Sequence, residues 1–438
     1  MTDIAGAVPV IAVDKVQAVA LAVCTYYFGV WLKGKIGVLS RYSIPSPVVG
    51  GMSFAIVVSF LEYFNIVKVH IDSTLQTVLM LGFFTTIGLM ASLRVVKDGG
   101  RLLLGFLLAV TVLVFLQNGM GMAIADAMGF DKHYGILAGS VSMMGGLGTA
   151  AAFGPYFEET YGITGGTAVA VTAATFGMVA ALLIGGPFGE WCIRRYKVKT
   201  PDEVQQPEPE LHLPDDMDTD ITEQHASEKP SFTNEIMRAV SVTALAMGLG
   251  TIVSNYLGHY ITLPAYIGAM IVATVIRNVG DFSGMYKVEG KGLNAVADIT
   301  LVLFVTMAIN NLKLHELVHL ALPLVVILAC QTILMLIYAW TVLFTAFGRS
   351  YDAVMLSVGG IGFSMGATAN GLANMQNIPE AEILSGMTIQ NAADMERAAQ
   401  TISEKYGSSP RAWLIVSVVG AFLIDLINAV VITWFGTL

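Results

Sequence analysis

Ten mainly apolar stretches, at 10–32, 45–64, 73–93, 102–128, 164–192, 236–258, 261–278, 293–312, 317–346 and 412–436, are what this chain must accommodate. A helix needs roughly 20 apolar residues to cross a bilayer, and each stretch meets or approaches that length. Only 13% of the residues are charged, about half the share of an ordinary soluble domain. A water-soluble globular protein is excluded. The fold class this predicts is an all-α polytopic membrane protein.

The net charge of −9 belongs to one segment: residues 200–235 hold eleven acids against Lys229, together with five prolines and little apolar periodicity. Such a composition reads as a solvated linker. It divides the chain into a first half (1–199) and a second half (236–438), each with five spans. Two further stretches, about 133–161 and 351–377, are apolar but rich in Gly, Ser and Thr at their centres, which suits a helix–loop–helix hairpin better than a straight span. With the N-terminus outside and each hairpin entering and leaving on one face, 19 of the 23 Lys and Arg lie inside and only Lys15, Lys68, Lys132 and Lys313 outside. The positive-inside rule favours that orientation, with both termini outside and the linker cytoplasmic.

Shifting the sequence by 214–220 residues brings Pro45 onto Pro264, Thr86 onto Thr306, Gln117 onto Gln331 and Tyr134 onto Tyr351. Five spans is an odd number, so the second copy must lie upside down: two inverted-topology repeats of five transmembrane helices, each with a re-entrant hairpin. That is an architecture of secondary transporters, whose broken helices meet near the membrane midplane.

The hairpin centres read SVSMMGGLGTAAAF (140–153) and GGIGFSMGATANGLANM (359–375). Glycine permits sharp turns there, and each break offers helix-end amides to an anion and carbonyls to a cation. Candidate substrate-binding residues are Ser142, Gly145, Gly146, Thr149, Gly366, Thr368 and Asn370, with Ser364 as a further neutral donor and acceptor. Asp425 lies within a span, where a carboxylate is costly and persists for a reason. With Asn428 one turn on, it is a candidate sodium ligand, as are Thr86, Thr306 and Asn374. The Gln117–Asn118 pair and Gln331 read equally well as interhelical links. No catalytic residues and no organic cofactor are expected, and no nucleic-acid partner.

Residues 315–319 match HExxH, a zinc-site pattern, but without a third ligand nearby. A membrane metalloprotease is therefore a remote alternative, and no GxxxxGK[ST] pattern supports ATP-driven pumping.

FFTTIGL, the QN pair at 117–118, LAGSVSMMGGLGTAAAF, ATFGMVAALLIGGP, LKLHELVHLALP, and GATANGLANMQNI with FLIDLINAVVI together resemble the bacterial sodium/glutamate symporters. The resemblance runs through both halves in order. It implies sodium-coupled uptake of glutamate, or a similar small acidic amino acid, across the cytoplasmic (inner) membrane by a homodimer working as an elevator. Segment 379–410 is longer than the connection the family pattern leads one to expect. A carrier for another organic anion and a cation/proton antiporter are the alternatives within transport.

Overall fold

A capping box starts the first helix. Asp14 Oδ1 accepts from the amides of Val16 (2.8 Å) and Gln17 (2.9 Å), while Gln17 Oε1 accepts from the Asp14 amide (3.1 Å). Helix α1 therefore runs Lys15–Lys35, and Val10–Val13, expected within the first span, instead form a strand, β1, paired in parallel with β2 (Lys68–Ile71). The all-α expectation needs this small correction: Asp14 satisfies the first helical amides, so the residues before it are released into extended pairing.

The computed structural model describes residues 8–37, 39, 44–93, 100–198, 232–257, 265–284, 286, 290–312, 320–366, 370–371, 374–375, 415–416, 419 and 423–437. Almost all of the acidic linker, the HExxH segment and the 379–410 segment lie outside these residues. In the first half, α1 is followed by α2 (Ser46–Tyr63), α3 (Thr74–Met90), α4 (Gly100–Ala127), α5 (Lys132–Ile136), α6 (Gly146–Tyr161) and α7 (Gly166–Tyr196). The second half has α8 (Phe232–Leu257), α9 (Ala265–Ser283), α10 (Lys291–Asn310), α11 (Ala321–Tyr338, continued by a wide-turned segment Ala339–Ala346), α12 (Tyr351–Ser364) and α13 (Ile424–Gly436). Among the described residues, seven helices are long and apolar enough to cross a membrane by length and composition: α1, α2, α4, α7, α8, α10 and α11. Helix α3 is apolar but has 17 residues, and α9 carries Arg277 and Asp281. Large apolar side chains face outward along these helices, Leu108 at 67% exposure among them. A surface of that kind is stable against lipid and not against water.

The helices form two packed groups. In the first, α3 packs on α9 and α10, α1 on α2, and α8 on α9 and α10; in the second, α7 packs on α6 and α12, and α4 on α5, α11 and α13. The groups touch more thinly, chiefly where α10 meets α6. Glycines set the closest approaches in the first group. A Cβ on Gly50 would fall 1.8 Å from the Thr25 carbonyl oxygen, and one on Gly88 would fall 2.4 Å from that of Met270. Such backbone contact is how membrane helices gain dispersion energy where no hydrophobic effect drives them together.

A buried polar clamp fixes the α3–α9 crossing. Asp281 Oδ2 accepts from Ser92 Oγ (2.6 Å) and Arg277 Nε (2.9 Å), and Asn278 takes the Leu93 amide (2.8 Å) while donating to the Ala91 carbonyl (2.8 Å). These bonds satisfy backbone groups left over where α3 ends. The Arg277 and Asp281 side chains are 7% and 12% exposed, so removing one partner strands a desolvated charge. Arg277→Met is expected to destabilise the protein by roughly 3–5 kcal/mol, with Arg277→Met/Asp281→Met recovering part of the loss. Thermal unfolding of the detergent-purified variants checks this; an Arg277→Met protein as stable as the parent would refute it.

Candidate functional site

After α5 the chain does not continue as a regular helix. Leu137–Val141 form wide π-type turns, and Gly139 (φ −89°, ψ −132°) leaves helical geometry altogether. Ser140 then has an amide, a carbonyl and a hydroxyl to satisfy, and two asparagines from other helices meet them. The Ser140 amide donates to Asn118 Oδ1 (3.0 Å), its carbonyl accepts from Asn428 Nδ2 (3.0 Å), and its hydroxyl donates to Asn428 Oδ1 (2.6 Å). Ser142 Oγ sits between the carbonyl oxygens of Leu137 (2.5 Å) and Ala170 (2.7 Å), tying the break to α7. The chain turns at Gly146 (φ +62°), a left-handed conformation glycine adopts freely. It re-enters helix α6 with no side chain capping the first amides.

The second Gly-rich stretch also doubles back. Gly362 abuts Gly371 and Gly359 abuts Met375, so the residues after α12 run back along it. The Ser364 carbonyl accepts from Gln117 Nε2 (3.0 Å), and the Gln117 carbonyl accepts from Gln331 Nε2 (2.8 Å). Asn370 Nδ2 donates to the Met178 carbonyl (3.1 Å), and Asn374 Nδ2 to that of Ala181 (2.9 Å).

Both breaks close on one point of α7. A Cβ on Gly177 would lie 2.1 Å from the Met365 carbonyl oxygen, beyond the end of α12, and 3.1 Å from Met143 Sδ, beside the first turn. The stretch leading into α6 and the C-terminus of α12 thus both reach α7 at Gly177. Helix N-termini are electropositive and C-termini electronegative, so the junction presents both poles without a formal charge. Arg277, the buried guanidinium of the other group, is engaged by Asp281 and the Leu89 carbonyl.

Several buried polar atoms here lack partners: Gln117 Oε1, Asn118 Nδ2, Gln331 Oε1, Ser364 Oγ and Asn374 Oδ1. Each such atom costs about 1–3 kcal/mol unless something meets it. A separate cavity of about 540 Å³ opens between the two helix groups beside β2, lined by Glu62, His70, Gln76, Glu158, Thr167 and Asn310 among others. It stops short of the breaks, since Ser142, Thr149, Gly366 and Asn370 do not line it.

The structure thus brings Ser142, Gly145, Gly146, Thr149, Gly366 and Asn370 to the two breaks, whereas Thr368 lies outside the described residues. Thr149 folds over Gly145, where a Cβ would fall 2.3 Å from Thr149 Cβ. Asn374 is tied to the Ala181 carbonyl of α7 and Asn428 to the Ser140 carbonyl of the first break, and half-buried Asp425 stands one turn before Asn428. Thr86 and Thr306 are in the other group, their hydroxyls donating to the Phe83 and Val302 carbonyls of their own helices (both 2.6 Å). Sequence reasoning missed Ser140 and Gly177. A serine beside a glycine in an apolar run hints at Ser140, whereas Gly177 has the local sequence of any packing glycine.

The sequence profile described as the sodium/glutamate symporter matches residues 11–381. The chain is similar to the sodium/glutamate symporter of Escherichia coli (strain K12), 35% identical over 428 residues, 96% of each chain. It is also similar to that of Haemophilus influenzae, 33% identical over 419 residues, 94% of this chain and 95% of that protein. With this coverage, a neutral two-pole junction and membrane-length helices, the chain belongs to the sodium/glutamate symporter family, a family of transporters rather than enzymes.

Proposed function

We propose that this protein imports glutamate, or a similar small acidic amino acid, together with sodium across the bacterial inner membrane. The observation that carries the reading is the closing of both helix breaks on Gly177. In this reading it brings an electropositive helix start and an electronegative helix end to one region of α7, as a zwitterion and its coupling cation need. The substrate carboxylates meet the free amides at the start of α6, with Ser142, Gly145, Gly146, Thr149, Gly366, Thr368 and Asn370 shaping the site, and sodium supplies the positive charge. Asp425 is the coupling carboxylate in this reading. Asn374 and Asn428 keep the hairpin arms in register, and Thr86 and Thr306 belong to the frame against which the site moves.

The two halves are inverted repeats with one re-entrant hairpin each. In support, the Gln331 side chain donates to the backbone carbonyl of Gln117, the residue it matches under the repeat, as residues near a pseudo-two-fold axis can. The hairpin group is the moving part of an elevator and the group of α1, α2, α3, α8, α9 and α10 its frame, a division that the thin contact between them supports. The cavity beside β2 is the outer vestibule, and its size suits a small ligand. The frame is where a homodimer assembles.

Purified protein in proteoliposomes is expected to accumulate radiolabelled glutamate under an inward sodium gradient and not under a choline gradient. Equal uptake in both would reject symport and revive the antiport or anion-carrier readings. Gly177→Ala is expected to cut uptake at least tenfold while the protein stays monodisperse and helical, because even a methyl group meets the Met365 carbonyl; full activity would show that the hairpins do not close on α7. Asp425→Asn is expected to raise the sodium concentration that half-activates uptake, and an unchanged value would make this carboxylate structural.

A further inference from the structure

The chain Gln331–Gln117–Ser364 contains more acceptors than its hydrogen bonds use. Gln331 donates to the Gln117 carbonyl and Gln117 donates to the Ser364 carbonyl, so each amide has spent an N–H while its oxygen stays empty. Gln117 Oε1, Gln331 Oε1 and Ser364 Oγ are all buried without a partner, and all three residues have 0% exposure. Ser364 also ends α12, so the last carbonyls of that helix have no following turn to bond them. Gln117 Oε1 and Ser364 Oγ thus belong to neighbouring links of one hydrogen-bonded chain at an electronegative helix end, with no proton donor directed at either among the described residues.

We infer that Ser364 Oγ and Gln117 Oε1, with the terminal carbonyls of α12, form a sodium site. Hard cations take oxygen ligands, and divalent ions usually draw at least one carboxylate into the site beside carbonyls and water. A cage of neutral dipoles therefore suits a monovalent ion. No His, Cys, Asp or Glu cluster among the described residues competes as a metal site. The site is separate from Asp425 on α13. It also gives Gln117 two roles, since its Nε2 holds the end of α12 in place while its Oε1 faces the ion. Sodium binding and the seating of the second hairpin on Gly177 are thereby one event, because Met365 follows Ser364 directly and its carbonyl is what Gly177 admits. This inference rests on the sodium-coupled reading of the protein.

Ser364→Ala is the decisive variant, because its hydroxyl makes no hydrogen bond whose loss would disturb the fold. Ser364→Cys keeps the shape and exchanges a hard oxygen for a soft sulfur. For both, the sodium concentration that half-activates glutamate uptake is expected to rise about tenfold, and the thermal stabilisation of purified, glutamate-free protein by NaCl over choline chloride is expected to shrink. Wild-type sodium dependence retained in the Ala variant would overturn the site and leave symport standing. Loss in Ala with full retention in Cys would assign Ser364 to packing and overturn it too. No sodium response in the parent protein itself would reject the symport reading and the site together.

Discussion

A helix that stops inside a bilayer must give its freed amides and carbonyls to other groups, since lipid offers none. In this protein those groups are side-chain amides from neighbouring helices. Asn118 and Asn428 take the three polar groups of Ser140, and Gln117 takes the Ser364 carbonyl and is itself held by Gln331. Everything else at the centre depends on those bonds, because without them neither break could persist at that depth. Glutamine and asparagine suit this position because each brings a donor and an acceptor without charge. The acceptors they leave over are what the junction has for a ligand.

The glycine contacts divide by purpose. In the group of α1, α2, α3, α8, α9 and α10, Gly50 and Gly88 let backbones touch, and the Arg277–Asp281 clamp locks a crossing between the two halves of the chain. Those features make a rigid frame. In the hairpin group, Gly177 and Gly185 instead receive the ends of other segments, the Met365 carbonyl and the Asn374 amide. Two separately braced helix groups joined by sparse contact are the arrangement that the proposed elevator motion would need.

Much of this architecture is legible in the sequence. Apolar run length locates the seven membrane-length helices among the described residues, while 73–93 and 261–278 give α3 and α9, which fall outside that set, and glycine with serine and threonine in the middle of otherwise apolar segments locates both breaks. The exact start of α1 is legible too, in the Asp14 and Gln17 spacing, but the apolar character of Val10–Val13 masks it. Pairing is not legible. Gly177 meets a carbonyl 188 residues away, and nothing local distinguishes it from Gly185 or from a lipid-side glycine. The same holds for Ser140 and Asn428, which are 288 residues apart. Side-chain amides in a membrane span announce a buried partner without saying which, so only the fold shows that Gln117 lies between Gln331 and Ser364.

Asp425 bears on the electrical behaviour of the proposed cycle. It stands in the first turn of α13, on the same helix as Asn428, whose side chain holds Ser140. Moving one elementary charge through the membrane potential is worth about 2.3 kcal/mol per 100 mV. In such a cycle Asp425 would add no charge to the empty carrier when protonated and a charge of −1 when ionised, which the field drives in the direction opposite to sodium. In an elevator cycle, the state of that carboxyl group would therefore set part of the voltage sensitivity of the unloaded return step.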